Sequence, residues 1–175
     1  CGDIVGRSGR EVVENNLPLI IKNENIEFVI INGENAAGGF GITKKICEKL
    51  YNLGVDVITS GNHIWDQREI LSFLSSDKRL LRPCNFPTEY PGKGFGIYKL
   101  KNGRFISVIN VMCRLFMDPV NDPFRSLDEV INTIQSNCQE SFIFVDIHGE
   151  STSEKMALGH YLDGKVTAVF GTHTH

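Results

Sequence analysis

The chain has 175 residues, 41% of them hydrophobic and 22% charged, with a formal net charge of -3. That composition suits one globular domain with a real core and a soluble surface. It holds no basic run of the kind that grips long nucleic acid through its backbone, and no apolar run near the ~20 residues of a membrane span.

Five cysteines (Cys1, Cys47, Cys84, Cys113, Cys138) are odd in number and widely spaced, with no Cys-x-x-Cys. This favours a reducing, cytoplasmic setting over a disulfide framework and argues against a zinc knuckle. No secretory leader is visible, but the start of the chain is expected to be missing.

Cys1 to Gly6 reads as a turn of the kind that follows a strand, and an N-terminal strand is expected to be missing. Gly9 to about Asn23 has helical periodicity, with Pro18 predicting a kink or two short helices. Phe28–Ile31 is a short buried strand ending in the glycine-rich run Asn32-Gly-Glu-Asn-Ala-Ala-Gly-Gly39. Thr43 is a fitting cap for a helix to Leu53, closed by Gly54. Val55–Thr59 is the next strand, followed by Ser60-Gly-Asn-His63 and a short helix over Gln67–Leu74. Leu80–Cys84 reads as a further strand.

Lys93–Leu100 and Arg104–Asn110 alternate around Lys101-Asn-Gly103 and predict an antiparallel hairpin. Met112–Phe124 is a long loop, the type often tied to function. Ser126-Leu-Asp-Glu129 has capping-box form and opens a helix to Asn137. Ser141–Ile147 is a strand ending in His148-Gly-Glu150. Ser153 is read as the cap of a helix over Glu154–Leu162. The last strand, Val166–Phe170, is stopped by Gly171, and an extended Thr-His-Thr-His tail would place His173 and His175 on the same side. Strands alternating with helices give an α/β layered fold in one domain, with a parallel or mixed sheet.

In such sheets ligands bind beyond the carboxyl ends of the strands. Those ends carry Asp3, Glu34 and Asn35, Asn62 and His63, His148, and His173 with His175. Four of the five histidines lie there, and only His160 sits mid-helix. Each position alone is ordinary turn chemistry; chemistry-bearing residues at every end are not. Two carboxylates, one or two amides and three imidazoles exceed a single tetrahedral zinc. They suit two borderline ions such as iron, manganese or zinc. Glu34, central in the chain, is the natural bridge. A pair of ions can clamp a phosphoryl group and make hydroxide available near neutral pH, while His63, which need not be a ligand, could hand a proton to the departing alkoxide.

The motifs Gly2-Asp-Ile-Val-Gly6, Asn32-Gly-Glu-Asn-Ala-Ala-Gly-Gly39, Thr59-Ser-Gly-Asn-His-Ile-Trp65, Phe116-Met-Asp-Pro-Val120, Thr152-Ser-Glu-Lys155 and Gly171-Thr-His-Thr-His175 closely resemble those of the YmdB-like bacterial metallophosphoesterases. The resemblance covers essentially the whole chain. It implies a calcineurin-like sandwich of mixed sheets flanked by helices, with a dinuclear centre, most often iron, and hydrolysis of cyclic nucleotides, 2′,3′-cyclic ones included. It places Asp3, Asn35 and His175 around one ion, Asn62, His148 and His173 around the other, and Glu34 between them, with His63 as proton donor.

Two departures from metallophosphoesterases at large are Val5, where a second-ligand histidine is usual, and Glu34-Asn35, where an aspartate is usual. Within the subfamily a glycine is expected at Cys113. The family also has a strand before Asp3 and a portion after His175, so this chain is expected to be short at both ends.

A small cyclic phosphodiester is thus the expected partner, no membrane and no long nucleic acid are expected, and a homo-oligomer is left open. A phosphomonoesterase or nucleotidase fits the same ligands, because metals meet only phosphoryl oxygens. A non-catalytic metal- or nucleotide-binding module is the other reading, and His63 argues against it.

Overall fold

The computed structural model describes residues 1–138 and 140–175. Its elements are α1 (Gly6–Asn23), β1 (Ile30–Asn32), α2 (Lys44–Asn52), β2 (Val57–Thr59), a 3-10 turn over Asn62–Trp65, α3 (Ile70–Ser76), β3 (Phe95–Lys99), β4 (Phe105–Met112), α4 (Pro123–Asn137), β5 (Ser141–Gly149), α5 (Thr152–Leu162) and β6 (Ala168–His173). β1 and β2 form a two-stranded parallel sheet. β3-β4-β5-β6 form the second sheet in that order, antiparallel only between β3 and β4.

Three apolar clusters set the layers. Ile4, Ile31, Leu50, Ile58 and Leu74 join the small sheet to α1–α3. Ile109, Val111, Val145 and Ile147 join the large sheet to α4 and α5 through Leu127, Ile131, Ile134, Leu158 and Leu162. Val57, Leu81 and Val108, with Phe28, Ile30 and Tyr98, fill the gap between the sheets. The order is helices, sheet, sheet, helices, the mixed α/β arrangement expected.

Strand period fixes what faces the gap. On β5, Ile143, Val145 and Ile147 pack toward the helices, so the alternate residues Phe144, Asp146 and His148 face the other sheet. Both sides of β4 and β5 are covered, which is why nearly every residue of β4 is buried.

Several local expectations are corrected. α1 runs unbroken through Pro18. The proline removes one N–H, and no residue of this helix is fully buried, so water can meet the carbonyl left free. α4 starts before Ser126: Asp122 accepts from the Arg125 N–H and Pro123 takes the first helical position, where its missing donor costs nothing. Its core stripe is Leu127, Ile131 and Ile134. Ser153 lies inside α5, whose N-cap is Ser151. Leu80–Cys84 forms isolated bridges, Leu80 with Ile58 and Leu81 with Lys93, instead of a strand. β6 passes through Gly171 to His173, and the tail is not extended, because His173 has φ 94°.

Thr43 caps α2 by accepting from the Ile46 N–H, and the β3–β4 hairpin matches its expectation. All five cysteines are free. His160 is exposed on α5. Among the described residues no helix is long and apolar enough to cross a membrane.

Candidate metal centre

The carboxyl ends of β1, β2, β5 and β6 meet at one edge of the gap between the sheets, and the side chains there are polar. Glu34 is fully buried. Its Oε2 lies 3.1 Å from His148 Nε2 and 3.4 Å from the His63 backbone N–H. His148 Nε2 is also 3.2 Å from Asn62 Oδ1. His173 packs edge-on to His148 with ring centroids 4.9 Å apart, and its Nδ1 is 3.9 Å from Glu34 Oε1. Ligand atoms of Glu34, His148 and His173 lie within 4.8 Å of one another.

Asp3 is tied to the same place through the backbone: its carboxylate accepts the His173 N–H at 3.1 and 3.2 Å. His175 Nδ1 stands 3.9 Å from Asp3 Oδ2. Asn35 follows Glu34 and is buried; its Nδ2 donates to the Gly39 carbonyl at 2.8 Å. The His63 ring is turned outward to Asp66, Nδ1 to Oδ2 2.8 Å, and the edge of Phe40 packs against it at 5.1 Å. Among the described residues, no side-chain hydrogen bond or ion pair links Asn35 or the His63 ring to the Glu34–His148–His173 cluster.

Gly61 lets the backbone after β2 press onto the pair: a Cβ there would collide with Glu34 Oε2 and His148 Nε2. Gly149 has a similar reason, since the Cys113 side chain fills the space its Cβ would need. Cys113 is buried among Val111 and Ile147, and burial pushes its thiol up to about 12. It is therefore a packing residue that does not line open space.

Burial opposes the charge on Glu34, yet the His148 hydrogen bond and the nearby imidazoles outweigh it and hold the carboxyl below its ordinary range. Burial, followed by the neighbouring His148, depresses His173, which favours the neutral ring with one nitrogen free to bind. Its Nε2 lies 3.1 Å from Glu150 Oε2, leaving Nδ1 on the Glu34 side. The positive φ at His173 is uncommon for a non-glycine residue and is the backbone twist that brings its ring to the cluster.

The donor set fits a cation. Of the four buried side-chain polar atoms without a partner among the described residues, two are Glu34 Oε1 and Asn35 Oδ1. An unpartnered buried acceptor is costly unless something positive meets it. Oxygen and imidazole donors together suit iron, manganese or zinc.

Four residues of the site have no role assigned from the sequence: Asn32, Thr59 and Thr172, which lie within the motifs above, and Asp146, which does not; all are buried. Asp146 Oδ2 accepts from the Thr59 hydroxyl and from Asn32 Nδ2 at 3.0 Å. Asp146 Oδ1 accepts from the Thr172 hydroxyl at 2.7 Å. Asn32 Oδ1 in turn accepts the Glu34 N–H at 3.1 Å. Burial pushes the Asp146 carboxyl up, and these donors work against that. A signal was available: an aspartate two before His148 in a central strand falls on the same inward face.

The chain is 47% identical over 174 residues to the 2′,3′-cyclic-nucleotide 2′-phosphodiesterase of Bacillus subtilis (strain 168), covering 99% of this chain and 65% of that protein. It superposes with TM-score 0.89 on a hypothetical protein from Thermus thermophilus, at 43% identity, covering 99% of this chain and 66% of that one. A phosphatase from Mycoplasma pneumoniae gives TM-score 0.89 at 36% identity, covering 99% and 62%. The chain thus spans just under two thirds of the length of these relatives. Matched from residue 1 to residue 175, it belongs to the YmdB-like protein family.

Proposed function

We propose that this site binds two metal ions in a calcineurin-like arrangement and hydrolyses phosphodiesters, with cyclic nucleotides as substrates, the 2′,3′-cyclic class first and the 3′,5′-cyclic class second. The observation that carries this reading is a buried carboxylate, Glu34, with one oxygen on His148 and the other unpartnered beside His173. The activity for which the Bacillus relative is named supports the substrate class.

Asp3, Asn35 and His175 would hold one ion, Asn62, His148 and His173 the other, and Glu34 would bridge them. Iron, manganese and zinc all suit these donors. Bound there, a metal pair supplies positive charge for the phosphoryl oxygens and a water that ionises near neutral pH.

The residues do the rest. Asp66 holds His63 Nδ1, so Nε2 is the nitrogen that hands a proton to the departing ribose oxygen. Phe40 packs against that ring and limits its rotation. Asn62 is adjacent in sequence to His63, so one short turn delivers both a ligand and the proton donor.

Elemental analysis of the purified protein, followed by rates on 2′,3′-cyclic, 3′,5′-cyclic and monoester substrates, tests the reading. About two metals per chain and preferred cleavage of a cyclic diester are expected. Metal-free protein that cannot be loaded, or cleavage of monoesters alone, would overturn it.

A further inference from the structure

His148 is gripped from both sides, and the two sides ask different things of it. Its Nδ1 lies 2.8 Å from the Thr172 hydroxyl. Its Nε2 faces two oxygens, Glu34 Oε2 and Asn62 Oδ1. A hydroxyl has one hydrogen to give, and the structure shows where Thr172 gives it. Asp146 Oδ2 is already occupied by Thr59 and Asn32, while Asp146 Oδ1 has only Thr172, at 2.7 Å. With its hydrogen on Asp146, Thr172 turns a lone pair to His148 Nδ1.

We propose that Thr172, oriented by Asp146, is a positioning residue that keeps a proton on His148 Nδ1, so that Nε2, whose N–H faces Glu34 Oε2 here, is the nitrogen that gives up its proton to a metal. This rests on the metal-site reading above. The chain Asp146–Thr172–His148 is fully buried, so water cannot substitute for the hydroxyl. Register helps: Thr172 is the β6 partner of His148 on β5, and Asp146 lies one pleat back on the same face as His148. Asp146 also reaches Glu34 through Asn32, whose Oδ1 takes the Glu34 N–H. One buried carboxylate thus orients two of the candidate ligands. The Thr between Gly171 and the first tail histidine is therefore a working part of the site instead of a spacer. Outer partners of metal-bound imidazoles set ring orientation in this way, and their loss typically costs 10–100-fold in metal affinity.

The test uses zinc, which is diamagnetic, and needs no substrate. In the zinc-loaded protein, long-range proton–nitrogen NMR should show His148 protonated on Nδ1, with slow solvent exchange. Thr172→Val keeps the shape and removes the hydroxyl. Its zinc affinity, measured by chelator competition, should fall by about 10–100-fold, with faster exchange of the His148 proton. Thr172→Ser should restore both. Wild-type affinity and exchange in Thr172→Val would overturn the proposal, and so would a folded Thr172→Ser that is as weak as valine, since the methyl would then be the working group. If Thr172→Val does not fold, the serine variant and the wild-type proton decide. A protein that binds zinc through this arrangement yet cleaves no cyclic nucleotide would sink the enzymatic reading and leave this one standing.

Discussion

The gap between the two sheets is built in two ways. Away from the site it is filled by Val57, Leu81 and Val108 with aromatic neighbours, whose value is area removed from water. At the strand ends it is filled by Asn32, Thr59, Asp146 and Thr172, joined by hydrogen bonds across the sheets. Apolar packing tolerates small shifts, because it has no direction. A hydrogen-bonded network tolerates few, since each unmet group is costly in a low-dielectric interior. The molecule puts shape-tolerant packing where it needs adhesion and direction-sensitive bonding where it needs fixed ligand geometry.

The contrast is sharpest for Glu34→Ala at the polar end. That variant should lose its metal entirely while keeping its circular dichroism spectrum; elemental analysis showing full dinuclear occupancy would remove Glu34 from the bridge. Leu81→Ala at the apolar end should do the reverse. Loss of a fully buried leucine costs about 2–5 kcal/mol in denaturant unfolding, with metal content per folded molecule unchanged. A site that empties in that variant would mean the two ends are not separable.

His63→Ala probes the rim of the polar end. Metal should stay and turnover should fall by about 10² or more, the scale of general-acid effects; equal turnover would exclude His63 from proton transfer. Smallest is Thr43→Ala, which removes the α2 cap outside the seam. It should cost about 1 kcal/mol in thermal or chemical unfolding and leave both metal content and rate alone.

What the sequence disclosed divides along the same line. Glu34, His63 and His173 stand at or just past strand ends, beside glycines or turn residues, where a polar side chain has few structural reasons to be. Asp146 was hidden because it lies inside a strand, where a lone polar residue reads as part of an alternating pattern, and Thr172 because the strand was expected to stop at Gly171, whereas β6 continues to His173. Their meaning depends on which face of β5 and β6 is inward, and that is set by α4 and α5 packing on the other side. Element order was legible from turn chemistry and apolar runs. Starts were less so: Ser126 had the form of a cap, but Asp122 with Pro123 satisfied the helix end several residues earlier. Pro18 did not divide α1 into two helices for a different reason, since a helix with no fully buried residue can spare a backbone bond.

The Asp3 carboxylate and the His173 N–H are separated by 170 positions, and Asn32 meets Thr172 across 140. Pairings so distant along a polymer form slowly, and not before both partners have left the ribosome. A nascent chain would therefore carry Glu34 and its glycine-rich loop without their imidazole counterparts for almost all of this segment's translation. On the proposed metal-site reading, cation capture would be a late checkpoint, one that reports whether residues from Asp3 to His173 have been made and brought into register.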